Sequence, residues 1–221
     1  MTRKRVGVLI SGRGSNLGAL IEACKAHDYP AKIVLVISNV PSAQGLLRAE
    51  AGLIPALVIN HKDFASREEF DAALDNALNE AGVELLCNAG FMRLHSEGFV
   101  ARWRNRHLNI HPSLLPAFRG LHTHTQVLDA GVKITGCTVH FVRAEMDTGP
   151  IVAQAAVPVL PSDTPESLGA RVLEAEHHLY PHALKLVASG EVHVEGEYVV
   201  GMTQIGPQPP LFSPPLDEHF D

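Results

Sequence analysis

Asn109 and His111 stand two apart in the segment HLNIHP (107–112), so on a strand both side chains project to one face. An amide N–H and an imidazolium aimed at one oxygen are the donors that a tetrahedral acyl-transfer intermediate needs, and each is worth about 10²–10³ in rate by analogy with oxyanion-hole donors. A free imidazole is half charged at about pH 6.5, so a neighbouring carboxylate would favour the protonated form. Asp147, in the turn-forming sequence MDTGP, is the candidate for that carboxylate. Pro112 keeps the chain extended beyond the pair, and Pro116 with Gly120 stiffens the loop that follows.

A second constellation lies near the start, where the apolar run VGVLI (6–10) leads straight into SGRGSNL. Glycines allow a tight turn and close backbone approach, while free N–H groups and the dipole at a helix start attract an anion. A phosphate site is the physical reading. A dinucleotide fingerprint would need a third glycine where Leu17 stands and an acid near Ser38 and Asn39, and a Walker loop would need Gly-Lys-Ser/Thr; neither pattern is met.

These groups need a frame. Short β-branched runs alternate with helical patterns: 6–10, a helix from about 16 to 27, a strand over 31–38, a helix near 43–51, a strand at 56–59, a helix capped by Ser66 and Glu69, and a strand over 84–89. Strands without polar alternation are covered by helices on both faces, which predicts an α/β fold with a doubly wound, mostly parallel sheet. Further on, 107–112 reads as another strand, 134–142 and 151–159 as an antiparallel pair joined through EMDTGP, and 165–189 as a long helix entered by Asp163, Thr164 and Pro165. Residues 192–200 read as a hairpin. One domain is expected over 1–202, with a Pro-rich tail over 203–221.

Composition narrows the function classes. The 221 residues are 46% hydrophobic and 19% charged, which fits one globular core. A net charge of -6 excludes a broad nucleic-acid surface. No apolar run approaches the ~18 residues of a membrane span, and the opening MTRKR-VGVLI is too short for a signal-peptide core. Cys24, Cys87 and Cys137 are odd in number and lack metal spacing, so a reducing cytoplasm is expected. Thirteen histidines invite a metal hypothesis, but no ligand spacing supports one.

Together, SGRGSNL, GFMR (90–93), NIHPSLLPAFRG (109–120), TGCTVHFV (135–142) and MDTGPI (146–151) resemble the phosphoribosylglycinamide formyltransferase family. The resemblance implies the formyltransferase fold and transfer of a formyl group from 10-formyltetrahydrofolate, as co-substrate, to the amine of phosphoribosylglycinamide, without metal, in purine synthesis. It implies that Gly14, Ser15 and Asn16 hold the substrate phosphate and that Glu176 contacts the glycinamide. Arg67, Met92, Arg93, Leu94 and His95 would line the folate site with Asn109, although the family usually has an apolar residue at position 95. Asn109 and His111 would stabilise the oxyanion and Asp147 would keep His111 charged. The proton would pass through His111 or through a water held by Asp147. Small-molecule partners alone are expected, for a monomer or homodimer. A formyltetrahydrofolate hydrolase would share the same three residues but add an N-terminal domain, and a methionyl-tRNA formyltransferase would add a C-terminal domain and a basic face for tRNA. A catalytically silent binding module would take a phosphoribosyl ligand and have no folate site.

Overall fold

In a computed structural model, residues 2–201 and 209–216 are described. The N-terminal part alternates β1 (Lys4–Ile10), α1 (Ser15–Lys25), β2 (Ala31–Ser38), α2 (Gly45–Ala51), β3 (Ala56–Val58), α3 (Arg67–Glu80) and β4 (Leu85–Asn88). Then come α4 (Glu97–Arg102), β5 (His107–His111), α5 (Thr123–Asp129), β6 (Ile134–Phe141), β7 (Ile151–Pro158) and α6 (Pro165–Ser189). Two short strands, β8 (His193–Glu195) and β9 (Tyr198–Val200), form the expected hairpin. The expected tail positions 203–208 and 217–221 lie outside the described residues, and 209–216 hold no helix or strand.

The main sheet runs β3-β2-β1-β4-β5-β6-β7. Strands β1 to β5 pair in parallel, while β6 is antiparallel to both β5 and β7. The first helix starts and ends slightly earlier than its apolar pattern suggests. Helix α4 is six residues long, too short to carry a readable helical period, and was not expected from the sequence.

Two apolar clusters cover the two faces of the sheet. On one, α1 and α6 pack Leu17, Leu20, Val172 and Leu184 against Val8, Cys87 and Leu108. On the other, α3 and α4 pack Phe70, Leu74, Leu78 and Phe99 against Leu9, Ile37 and Leu86, with Trp103 1% exposed and its Nε1–H donated to Asp75 at 2.8 Å. Burial on both faces is why these strands carry apolar residues without alternation.

Helix starts follow their side chains. Ser66 Oγ accepts the Glu69 N–H at 3.1 Å, while the Glu69 carboxylate takes the N–H of Ala65 rather than that of Ser66. Thr164 and Ser167 form a reciprocal capping box, and Gly190 closes α6 at φ 79°.

Candidate active site

Sheet order reverses at β1, whose neighbours are β2 and β4, and ligands of open α/β sheets bind at such a switch point, at the carboxyl ends of the strands. The loops leaving β1 and β4 are laced together there. Ser11 N–H donates to Gly90 O at 3.1 Å, Met92 N–H donates to Ser11 Oγ at 2.8 Å, and Ser11 donates its hydroxyl to Asn39 Oδ1 at 2.6 Å. Gly14 is the N-cap residue of α1, at φ 67°, and a Cβ there would sit 2.6 Å from Gly45 Cα, so only glycine fits. No side chain caps this helix, which leaves first-turn N–H groups for an outside acceptor.

A cavity of about 630 Å³ opens beside this loop and brings together Asn16, the segment 92–95, Asn109, His111, Asp147 and Glu176. Gly14 and Ser15 do not line it. Arg67, expected with them, lies instead in a neighbouring hollow with Glu97 and Arg102, which shares only His95 and Ala144 with the cavity. Arg67 is the first residue of α3, and its hollow adjoins the cavity at His95 and Ala144.

His111 is held at both ring nitrogens. Its Nε2 is 2.8 Å from Phe118 O and its Nδ1 3.3 Å from Asp147 Oδ2, and both partners are acceptors. A carbonyl only accepts, so Nε2 carries a proton, while the Nδ1 approach to Asp147 is at ion-pair distance but outside hydrogen-bond geometry. Asp147 Oδ2 also accepts the Gly120 N–H at 3.0 Å, which ties the MDTGP turn to the loop after β5.

Asn109 and His111 both line the cavity, and Asn109 has a partner on the neighbouring strand. Its Nδ2 donates to His140 Nε2 at 3.3 Å, leaving the second N–H free. His140 gives its Nδ1–H to Phe141 O at 3.1 Å, and burial holds its imidazole below the ordinary range, so the ring is neutral with a bare Nε2. The 3.7 Å approach of that Nε2 to Asp147 Oδ1 is therefore a meeting of two acceptors and not an ion pair.

At the other end Asn16 Nδ2 donates to Glu176 Oε2 at 2.7 Å, and Asn16 Oδ1 is buried without a partner among the described residues. Burial raises the Glu176 carboxyl above its ordinary range, against a lowering by the Asn16 hydrogen bond. The sign follows. An unfolded glutamate ionises at about pH 4.3 whereas the folded one holds its proton to higher pH, so ionisation opposes folding increasingly as pH rises between the two values. Glu176→Gln keeps an acceptor for Asn16 and removes the charge. Its thermal midpoint is expected to exceed that of the parent at pH 7.5 and to match it near pH 4, with weaker binding of the amine substrate; equal midpoints at both pH values would refute this electrostatic account.

Groups around the site carry unequal sequence signals. His140, within TGCTVHFV, lines the cavity, whereas Asn88, and His107 and Asp71 behind the wall, enter only through register and helix packing. Asp71 is fully buried; burial raises its carboxyl, but hydrogen bonds from His95 Nδ1 and the Ser96 N–H outweigh this and hold it below the ordinary range. They also fix the His95 ring, which is stacked between Phe91 and Phe99 at centroid distances of 5.2 and 4.4 Å. His95 is thus part of the wall. His177 is half-buried and His178 exposed on α6, as their angular separation on a helix requires. Burial pushes the Cys87 and Cys137 thiols up to about 12, so both act as packing groups. Among the described residues there is no cluster of three or more metal-ligating side chains and no helix long and apolar enough to cross a membrane.

A family model described as formyl transferase matches residues 4–184. The chain is 56% identical over 190 residues to the trifunctional purine biosynthetic protein adenosine-3 of Gallus gallus, covering 86% of this chain but 19% of that protein. It thus spans about a fifth of that relative's length. Phosphoribosylglycinamide formyltransferase of Haemophilus influenzae is 43% identical over 192 residues, 87% of this chain and 91% of that one. The crystal structure of phosphoribosylglycinamide formyltransferase from Brucella melitensis superposes with a TM-score of 0.82 at 54% identity, covering 86% of this chain and 97% of the other.

Proposed function

Because the chain belongs to the formyl transferase family, among the phosphoribosylglycinamide formyltransferases, we infer that it transfers the formyl group of 10-formyltetrahydrofolate to the amine of 5'-phosphoribosylglycinamide. The observation that carries this reading is the meeting, in one cavity, of the Asn109, His111 and Asp147 group with the Asn16–Glu176 pair. A flat folate suits the cavity walls. Met92, Leu94, Leu121 and Met146 all line it and are all strongly exposed, and such apolar surface gains by being covered.

In the reaction the amine nitrogen bonds to the formyl carbon, the bond from that carbon to folate N10 breaks, and one proton passes from the amine to N10. Asn109 offers its free amide N–H to the developing oxyanion. His111 supplies positive charge beside it, and its Nε2–H becomes a donor to substrate once released from Phe118 O. Asp147 Oδ2 is engaged by His111 and Gly120, so Oδ1 is the oxygen left to hold the water that relays the proton. The first-turn N–H groups after Gly14, with Ser15, bind the phosphate, while Glu176 and the unpaired Asn16 Oδ1 accept N–H groups of the glycinamide. The Met92–Leu94 backbone borders the folate ring, and Arg67 meets the folate only where it extends past His95.

One chain holds every residue invoked, so the reading needs no second copy. Its free thiols and its substrates accord with a cytoplasmic enzyme of purine synthesis. The test is a steady-state assay following release of tetrahydrofolate with and without phosphoribosylglycinamide. Amine-dependent turnover is expected. Release that ignores the amine would assign a hydrolase, and absence of turnover by folded protein would overturn the enzyme reading.

A further inference from the structure

We propose that Asn88 is a specificity-determining residue of the folate end of the cavity, donating an amide N–H to an acceptor on the fused heteroaromatic ring of the formyl donor, with His107 as the positioning residue that orients it. The proposal rests on the formyl-transfer reading above. Asn88 ends β4, is 6% exposed and lines the cavity. Behind it, His107 is 1% exposed, with Nε2 2.9 Å from Asn88 Oδ1. A carbonyl oxygen only accepts, so Nε2 carries the proton. Burial holds the His107 imidazole well below its ordinary range, so the ring is neutral and its single N–H is at Nε2. The bare Nδ1 is an acceptor with no partner among the described residues.

This bond fixes which way round the amide lies. With Oδ1 turned inward to His107, the end of Asn88 that meets the cavity is the Nδ2 donor, which makes no hydrogen bond among the described residues. Sheet register then says what lies over it. Asn88 pairs with Asn109 across β4 and β5, and Asn109 pairs with His140 across β5 and β6, so three polar side chains form one row across the sheet. Adjacent strands are about 4.8 Å apart, so the group that carries the formyl carbon past Asn109 lies over Asn88. The chain beyond Asn88 continues directly into Phe91, Met92 and Leu94, the apolar wall suited to a flat ring. A donor set in such a wall favours a ring with an sp² nitrogen or carbonyl facing it, and disfavours an all-carbon ring of the same shape, because site donors left unpaired weaken binding.

Titration calorimetry with tetrahydrofolate, and steady-state kinetics with both substrates, test this on the full chain. Asn88→Asp is isosteric, keeps the acceptor for His107 and replaces the cavity-facing donor by an acceptor; Asn88→Leu removes both. Each is expected to weaken tetrahydrofolate binding by about 10-fold or more, the loss typical of one hydrogen bond, with KM for phosphoribosylglycinamide changed by less than about 2-fold. His107→Leu should show a similar folate loss, and adding it to Asn88→Leu should change little further, because it acts through Asn88. Variants with unchanged tetrahydrofolate affinity beside an active parent would overturn the proposal alone. Additive losses would overturn the role of His107. A parent that neither binds tetrahydrofolate nor turns over would overturn the formyl-transfer reading, and this proposal with it.

Discussion

His111→Ala is expected to lower kcat by about 10³, a loss within the range both for one oxyanion donor and for a general acid-base group. The folded state should lose little, because the hydrogen bond given up runs to Phe118 O, beside a cavity that admits water, and Asp147 keeps the Gly120 N–H. KM for the amine substrate should change much less than kcat, since Asn16 and Glu176 at the far end are untouched. Asp147→Asn should also be slow, and the double variant should fall well short of the product of the two losses, because the residues act as a unit. Single-turnover measurements separate the chemical step from release. A folded His111→Ala protein within 10-fold of the parent kcat would refute the assigned role.

Gly149→Ala should act through packing. A Cβ at position 149 would lie 1.7 Å from Phe141 O and 2.8 Å from Phe141 C, and no rotamer moves a Cβ. The chain must separate from β6, giving up the Phe141 N–H bond to Pro150 O at 2.9 Å. Overpacking of this kind costs about 1–3 kcal/mol. Asp147 lies two residues away on the same turn, and a displacement of about 1 Å at a reacting group can cost about 10²-fold in rate. Gly136→Ala is the control, because its Cβ would lie 1.8 Å from Ala155 O, in the middle of the β6–β7 pairing and away from the acid. Denaturant unfolding should show a similar loss for both variants, whereas kcat should fall much further for Gly149→Ala. Equal activity losses would mean that Asp147 is not what the glycine protects.

Much of this architecture is legible in the sequence because local physics dictates it. Apolar runs without alternation mark β1, β2 and β4 as buried on both faces, and Ser66, Thr164 and Gly190 mark helix ends through their own hydrogen bonds or backbone angles. The spacing of Asn109 and His111 places them on one face of β5, and that holds. What a strand cannot reveal is what its neighbours present. His140 reaches Asn109 across 31 positions, and Asn88 reaches His107 across 19, through strand pairings that no local pattern encodes. The Phe118 carbonyl that occupies His111 belongs to a residue at φ 55°, a backbone conformation that side-chain chemistry does not announce. Arg67, expected at the folate site, starts α3 and lines the hollow that meets the cavity at His95 and Ala144, a position that only the packing of α3 sets.

The polar row of Asn88, Asn109 and His140 also bears on how the protein acquires activity. Each member belongs to a different strand, and a slip of one residue in either pairing turns that member to the opposite face, among Leu108, Val139 and the other groups packed under α6. A refolding chain can therefore regain its helices, and even a collapsed sheet, with no functional centre. Turnover recovered after dilution from denaturant counts only the molecules that have set both a parallel and an antiparallel alignment correctly. Circular dichroism counts all those with local structure, and the lag between the two signals measures how long the chain spends in the wrong alignment.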